Sequence, residues 1–288
     1  MRKVAFVTYS GLPRLTEDDR LAIAHLRERG AETEAVLWDS KEVQWEEFDS
    51  VVLRSCWEYH LRVEEFQAWV ERMERTGVAL WNPPPVVRSN MDKRYLKELA
   101  QKGVAVAPSV WLEKGASVNL EAVLREHDWE QAVLKPTISM TAYKTWLTTR
   151  ARAGRDEAAV REMLKSSGVM IQRFVPEVRT KGEWSFIFFR KEYSHAVLKR
   201  AKPGDFRVQN DFGGYLEDAS PPGSLVEQAQ AIVDMEEGPL LYARVDGVDV
   251  DGTLVLMELE LIDPVLFLGN DDHAPGSFAG AIMSTIQA

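Results

Sequence analysis

The sequence predicts a chain that opens as α/β, around a mostly parallel sheet, and continues as α+β. Three observations predict this. Short apolar strands alternate with amphipathic helices up to about residue 85. The run Asn82-Pro-Pro-Pro85 then interrupts any helix or central strand. Beyond Gly182, consecutive strands are joined by short turns, as in an antiparallel sheet.

Taken in order, Val4 to Thr8 is a short apolar strand. Thr16, with Asp19 three residues on, has the pattern of a helix N-terminal cap, and that helix ends near Gly30. Ala35 to Leu37 and Val51 to Leu53 are two further strand cores. Phe66, Trp69, Val70 and Met73 fall at i, i+3, i+4 and i+7, so a helix buries that stripe and stops at Gly77. After the prolines, a helix is expected from about Asp92 to Lys102, then an extended stretch from Ala105 to Leu112. A helix from about Leu120 to His127 leads into the strand Ala132 to Lys135. The polar stretch Thr137 to Ala142 has no helical stripe, and Lys144 to Thr149 is a returning strand. Val160, Met163 and Leu164 mark the next helix, followed by a strand from Val169 to Val175. Glu183 to Phe189 and His195 to Arg200 then flank the charged turn Arg190 to Glu192. Leu225, Ala229, Ile232 and Val233 share a helix face, two strands flank the hairpin signal Asp251-Gly252, and Phe278, Ala281, Ile282 and Ile286 close the chain as a helix. The resulting organisation is an N-terminal domain over 1–85, a sub-domain over 86–168 and an antiparallel sub-domain over 169–288.

Composition narrows the function. At 288 residues the chain is long enough for two or three packed sub-domains. A formal charge of -10 argues against a nucleic-acid-binding protein, while leaving room for a local basic cluster around a triphosphate. Cys56 is the only cysteine, so no internal disulfide is expected. No apolar run approaches membrane-spanning length, and the first residues are too polar for a signal peptide; a cytoplasmic protein with no membrane partner is expected. Five of the nine tryptophans, Trp38, Trp45, Trp57, Trp69 and Trp81, lie in the first third, where packing accounts for them.

The strongest chemical signal is the stretch Leu256 to Pro264. Side chains alternate across a strand, so Glu258 and Glu260 share a face, and two neighbouring carboxylates repel unless a cation lies between them. Asp246 is on the partner strand. A three-residue loop would set it opposite Glu258 and Arg244 opposite Glu260, whereas a two-residue turn would put it on the other face. An acidic strand face turned to solvent is the competing reading. Lys135 ends a strand just before a Ser/Thr-rich loop and Lys93 opens a helix, positions from which a lysine reaches a phosphate, though a surface lysine is the simpler reading of each. Neither a P-loop nor a GxGxxG pattern is present. Arg54 lies beyond the third strand, at the end where α/β sheets bind ligands. It is a candidate partner for a substrate carboxylate, with Trp57 and Tyr59 shaping the pocket; pairing with an internal acid is the alternative. Asp271-Asp272-His273 reads as the cap of the last helix rather than a metal cluster.

In order, Met91-Asp-Lys93, Leu134-Lys-Pro136, Ile171-Gln-Arg-Phe-Val175, Arg244-Val-Asp246 and Glu258-Leu-Glu260 resemble the ATP-grasp superfamily, which includes D-alanine–D-alanine ligase and glutathione synthetase. Phe206 to Gly214 is similar to the arginine-to-double-glycine segment of the glutathione synthetase branch. Arg54 to His60, Ser194 to Arg200 and Glu258 to Pro264 resemble the O-ureido-D-serine cyclo-ligase group. The resemblance spans nearly the whole chain. It implies an ATP-grasp fold, in which an N-terminal parallel α/β domain is followed by two α+β sub-domains that clasp ATP.

The same resemblance implies the roles of individual residues. Lys93, Lys135 and Lys199 would lie near the ATP phosphates, with Ser139 in the closing loop. Gln172, Arg173, Phe174 and Val175 would line the adenine, with backbone groups reading its edge, and Glu183 would take the ribose hydroxyls. Asp246, Glu258 and Glu260 would hold two Mg²⁺ ions, with Mn²⁺ an alternative. Arg207 and Arg244 would stabilise charge on the transferring phosphoryl group and the developing oxyanion, and Gly213 and Gly214 would lie at the substrate. The implied reaction activates a small amino-acid-like carboxylate as an acyl phosphate and joins it to an amine or related nitrogen, within one molecule or between two. A phosphotransferase and a non-catalytic nucleotide-binding module are the alternatives on the same fold, and a homodimer is a superfamily-level expectation. The sequence departs from the pattern twice. Glu260 stands where many ligases carry Asn, and the loop 137–142 lacks glycine.

Overall fold

A computed structural model describes residues 2–287. The N-terminal part contains β1 (Arg2–Thr8), α1 (Glu17–Glu28), β2 (Ala31–Leu37), β3 (Ser50–Ser55), α2 (Val63–Thr76) and β4 (Leu80–Trp81). These strands form a parallel sheet in the order β2-β1-β3-β4. The capping box at α1 forms as the sequence predicts, since Thr16 accepts from the Asp19 amide and the Asp19 carboxylate accepts from the Thr16 amide. Helix α2 buries Phe66, Trp69, Val70 and Met73 and ends at Gly77 in the left-handed conformation. Burial of each of those side chains stabilises by roughly 1.5–3 kcal/mol.

No element continues through the proline run, as expected: β4 ends at Trp81. The run also opens a helix that the sequence does not predict, since Pro84 and Pro85 occupy the first turn of α3 (Pro84–Asn90), where a missing amide hydrogen costs nothing. Asn82, fully buried, donates to the carbonyls of Tyr242 and Leu261 and accepts from the Leu241 amide, which ties this junction to the distant C-terminal sheet. The next helix, α4 (Tyr95–Gln101), starts later than the expected Asp92. Asp92 instead accepts from the Arg94 amide and side chain and from Thr137, so Lys93 lies in a tight turn rather than opening a helix.

Then follow β5 (Ser109–Leu112), α5 (Leu120–Glu126), β6 (Gln131–Pro136), β7 (Trp146–Thr149), α6 (Ala153–Leu164) and β8 (Val169–Arg173). Their strands form an antiparallel sheet ordered β5-β8-β6-β7. The rest of the chain comprises α7 (Glu177–Thr180), β9 (Glu183–Phe189), β10 (Glu192–Arg200), β11 (Tyr215–Glu217), α8 (Gly223–Asp234), β12 (Tyr242–Val250), β13 (Thr253–Glu260) and α9 (Ala274–Gln287). Here the sheet is antiparallel in the order β11-β10-β9-β12-β13. Helix α9 packs with α1 and β1 in a core that includes Phe6, Leu26, Phe278 and Ile282, while α2 covers the opposite face of the first sheet. The chain end therefore completes the core of its beginning. Asp271 accepts from the His273 and Ala274 amides at the start of α9, the capping role expected for it.

The β12–β13 hairpin settles the register left open by the sequence. Its turn has two residues, Asp251 and Gly252, both at positive φ. By itself that turn would set Asp246 opposite Met257. A bulge at Met257 shifts the pairing between Asp246 and Gly247, so that Asp246 faces Glu258 and Arg244 faces Glu260.

Candidate active site

A cavity of about 350 Å³ lies between the two antiparallel sheets and extends to the N-terminal domain at Trp57. Its acidic wall comes from the bulged hairpin. Asp246, Glu258 and Glu260 present oxygen atoms that all lie within 4.8 Å of one another. Ser185 on β9 donates to Asp246 at 2.5 Å, and Arg244 donates to both oxygens of Asp246 and to Glu260. Lys199 on β10 bridges Glu183 at 2.6 Å and Asp246 at 3.3 Å. Lys93 reaches Glu258 at 3.0 Å and donates to the Ser139 carbonyl at 2.6 Å. Acids and bases thus alternate along a partly buried chain from Glu183 to Glu260, which offsets the desolvation of each.

The electrostatics are uneven along this chain. Burial raises Asp246, but Arg244 and Lys199 outweigh it and hold the carboxyl at about 2. At Glu260 burial prevails over the pull of Arg244, and Glu258 and Asp246 add repulsion, so its carboxyl is pushed up to about 8. A proton or a metal ion relieves that repulsion equally well, and the three-acid set therefore fits a divalent cation. Burial lowers Lys135 to about 8, and among the described residues it has neither an ion pair nor a hydrogen bond. It faces the cavity without a direct partner, with Glu258 and Glu183 attracting it from beyond ion-pair distance.

The apolar part of the cavity is lined by Val133, Phe174, Val175, Val178, Phe206 and Met257. Gln172 is buried here, and its amide nitrogen has no partner. The backbone amides of Arg173 and Phe174 are engaged by the carbonyls of Pro108 and Gln131, so these two do not offer donors to a ligand edge. Ser139 donates to the Pro136 carbonyl, and the loop after it places Thr141, Ala142 and Lys144 at positive φ, making tight turns without glycine. Tyr143 from this loop packs on His60 of the N-terminal domain, ring centroids 4.9 Å apart.

Lys93, Lys135, Ser139, Gln172, Arg173, Phe174, Val175, Glu183, Lys199, Arg207, Arg244, Asp246, Glu258 and Glu260 all border the one cavity. Arg207 does so while making a two-pronged pair with Asp205 and stacking on Phe212 at 3.8 Å. Of the five residues expected at the substrate, Trp57 borders it and Arg54, Tyr59, Gly213 and Gly214 do not. Arg54 is 2% exposed and donates to Asp19 at 2.6 Å, the internal pairing that was the alternative for it. Tyr59 is in the core, stacked on Phe66. Gly213 and Gly214 serve the backbone instead: Gly213 has φ +81°, and a Cβ on Gly214 would lie 2.0 Å from the Val208 carbonyl oxygen. The cavity wall in the region expected of them is made by Trp57, Asp263, Val265 and Phe267. Sequence reasoning gave Asp263 no role, although it belongs to the same acidic stretch as the paired glutamates.

Two antiparallel sheets enclosing a cavity with one acidic and one apolar wall fit a nucleotide-binding enzyme of the ATP-grasp class, and similarity to known proteins establishes that class. Residues 4–82 match the family model of the D-cycloserine synthetase DcsG N-terminal domain. The cycloserine biosynthesis protein DcsG of Streptomyces lavendulae is 31% identical over 274 residues, covering 90% of each chain. A crystal structure of D-cycloserine synthetase DcsG superposes with a TM-score of 0.86 at 29% identity, over 99% of both chains. D-alanine–D-alanine ligase from Bacillus anthracis complexed with ATP shares the fold, with a TM-score of 0.73 at 16% identity over 100% of this chain and 98% of that one. The chain belongs to the ATP-grasp ligases, in the family of DcsG. It is an ATP-dependent ligase that forms C–N bonds. Among the described residues no helix is long and apolar enough to cross a membrane.

Proposed function

We propose that this ligase activates the carboxylate of a small amino acid as an acyl phosphate and closes it onto an amine-type nitrogen, in the manner of a cycloserine-forming synthetase. The observation that carries this reading is the pairing of an unpartnered lysine, Lys135, with the facing acid set Asp246, Glu258 and Glu260 in one cavity. Lys135 and Lys93 would take phosphate oxygens, and Lys199, paired with Glu183, would orient that carboxylate toward the ribose. Phe174, Val175 and Met257 offer an apolar slot for the adenine, with the free amide of Gln172 as a donor to its edge. Asp246, Glu258 and Glu260 are the residues to hold two Mg²⁺ ions, which would neutralise phosphate charge. Arg244 fixes two of these acids and stands where charge develops during phosphoryl transfer.

The substrate carboxylate oxygen bonds to the γ-phosphorus as the bond to ADP breaks. The nitrogen then bonds to the acyl carbon, the C–O bond to phosphate breaks, phosphate leaves with the electron pair, and the proton shed by the nitrogen goes to the departing phosphate. Water must be kept from the acyl phosphate, and the loop carrying Ser139 and Tyr143 lies over that region against His60. The family relationship supports the amino-acid substrate, since the relatives are cycloserine and D-alanine–D-alanine enzymes by name.

Thermal unfolding with Mg²⁺ and a non-hydrolysable ATP analogue tests the nucleotide site. At about 100 times the dissociation constant, binding adds roughly 2.7 kcal/mol of stability. The shift should require Mg²⁺ and shrink in Lys135→Ala. No shift in the wild-type protein would remove the reading.

A further inference from the structure

One wall of the cavity contains a buried carboxylate with no partner. Asp263 is 1% exposed, and neither of its oxygens has a hydrogen-bond partner. Buried carboxylates are ordinarily hydrogen-bonded, because leaving one unmatched costs more than almost any other polar group. The backbone around Asp263 is nevertheless held firmly. Trp57 donates its indole N–H to the Asp263 carbonyl at 3.0 Å, and Arg54 donates to the Pro264 carbonyl at 3.1 Å. Arg54 is itself fixed by Asp19. The end of β3 and the residues just beyond it, backed by Asp19 of α1, therefore brace the backbone of a residue whose carboxylate has no hydrogen-bond partner within the protein.

The surrounding charges identify what is missing. Of the neighbouring cations, Arg54 is paired with Asp19 through Nε and keeps an unpartnered Nη1 that does not reach Asp263 in a hydrogen bond, and Arg244 is paired with Asp246 and Glu260. Glu58 adds negative field, the Tyr242 and Cys56 side chains are close by, and the Cys56 amide approaches without closing a hydrogen bond. Burial outweighs the pull of Arg54 and raises the Asp263 carboxyl to about 7. A ligand bringing a positive N–H donor would satisfy both oxygens and relieve this cost. Asp263 also follows Glu260 by three residues, so a ligand on it lies beside the acids proposed for phosphoryl transfer.

We propose that Asp263 binds the ammonium group of the amino-acid substrate and thereby selects amino acids over simple carboxylic acids. This rests on the acid-activating reading above. Arg54 and Trp57 hold residues 263–264 against the cavity, Arg54 as a positioning residue away from the cavity wall and Trp57 from within that wall.

The test compares D-serine with 3-hydroxypropionate, which lacks only the amino group, on the full-length protein with Mg²⁺ and ATP. Hydroxylamine traps any acyl phosphate as its hydroxamate. Wild type should prefer D-serine by roughly 100-fold in kcat/KM, the scale of a buried charge pair. Asp263→Asn, nearly the same shape, should lose that factor on D-serine and remain within about threefold on 3-hydroxypropionate. ATP-analogue stabilisation, unchanged in the variant, shows that it is folded. Equal losses on both acids, as a purely structural or water-held Asp263 would give, overturn the proposal. So does a wild-type protein that does not discriminate, or a variant that still does. No hydroxamate from either acid in wild type, with ATP still bound, would overturn the acid-activating reading and this proposal together, a pattern distinct from the others.

Discussion

Asp263 and Arg54 show how one buried charge can be matched and its neighbour left open. For Asp263 the sign of the pH dependence follows from a folded-state carboxyl at about 7 against 3.8 for the ordinary group. Below the lower value both states are protonated and the residue is neutral to stability. Between the two, only the folded state keeps the proton, so stability falls as pH rises, and the cost is complete above about 7. Asp263→Asn should therefore gain on wild type between pH 4 and pH 8 by something on the order of 2–4 kcal/mol. Urea unfolding at the two pH values measures it, and a difference that does not change with pH would contradict the assignment. Arg54→Met should do the opposite. It leaves Asp19 as an uncompensated buried charge, for a loss of about 3–5 kcal/mol in the same assay. The sequence made Asp19 legible as a helix cap, and it is one, but the second oxygen of the same carboxylate holds Arg54, 35 residues away. Capping follows from spacing along the chain, whereas the Arg54 contact depends on how α1 is set against β3.

Among the elements, the β12–β13 hairpin matters most for the site. Alternation along β13 is enough to put Glu258 and Glu260 on one face. Whether Asp246 joins them depends on a single extra residue, Met257, and Gly247 stands at the shift. A Cβ on Gly247 would lie 2.6 Å from Leu254 Cδ1 and 3.1 Å from the Val255 carbonyl oxygen. Gly247→Ala should destabilise by about 1–3 kcal/mol through overpacking. It should also weaken the Mg²⁺-dependent part of the ATP-analogue shift, because the strand carrying Asp246 must move. Wild-type stability and wild-type Mg²⁺ dependence in this variant would mean that the bulge is not tightly held. The proline run adds a non-local contact of the same kind. It stops β4 and starts α3, both of which follow from proline's geometry, but Asn82 before it is pinned by Tyr242 of β12 and by Leu261 just past β13.

Across the whole molecule, the two ends of the chain share a core. Phe278 on α9 stacks on Phe189 at 5.1 Å, meets Tyr242 edge-on at 6.1 Å and lies under the Arg54 guanidinium. The Tyr242 hydroxyl lies within hydrogen-bond distance of the Leu53 and Ile262 carbonyls, joining the first sheet to the last. Phe278→Ala should therefore cost about 3–5 kcal/mol, a loss visible in urea unfolding followed by tryptophan fluorescence. A change well below 1 kcal/mol would show that α9 is not part of the cooperative core.

The sequence by itself determined the order and type of nearly every element, because helix stripes, strand alternation and turn residues are written within windows of a dozen residues. The short motifs it carries also imply the ATP-grasp ligase class, and the residues to which that resemblance points, among them Lys135, Glu183, Asp246, Glu258 and Glu260, border one cavity. Only the tertiary structure decided the rest. It buried Arg54 and Tyr59 away from the cavity, turned Gly213 and Gly214 into backbone devices, set the register at Asp246, and left the buried Asp263 carboxylate at the cavity wall without a hydrogen-bond partner. Each of these depends on partners far apart in the chain or on one bulge, and no local period in the sequence encodes such contacts.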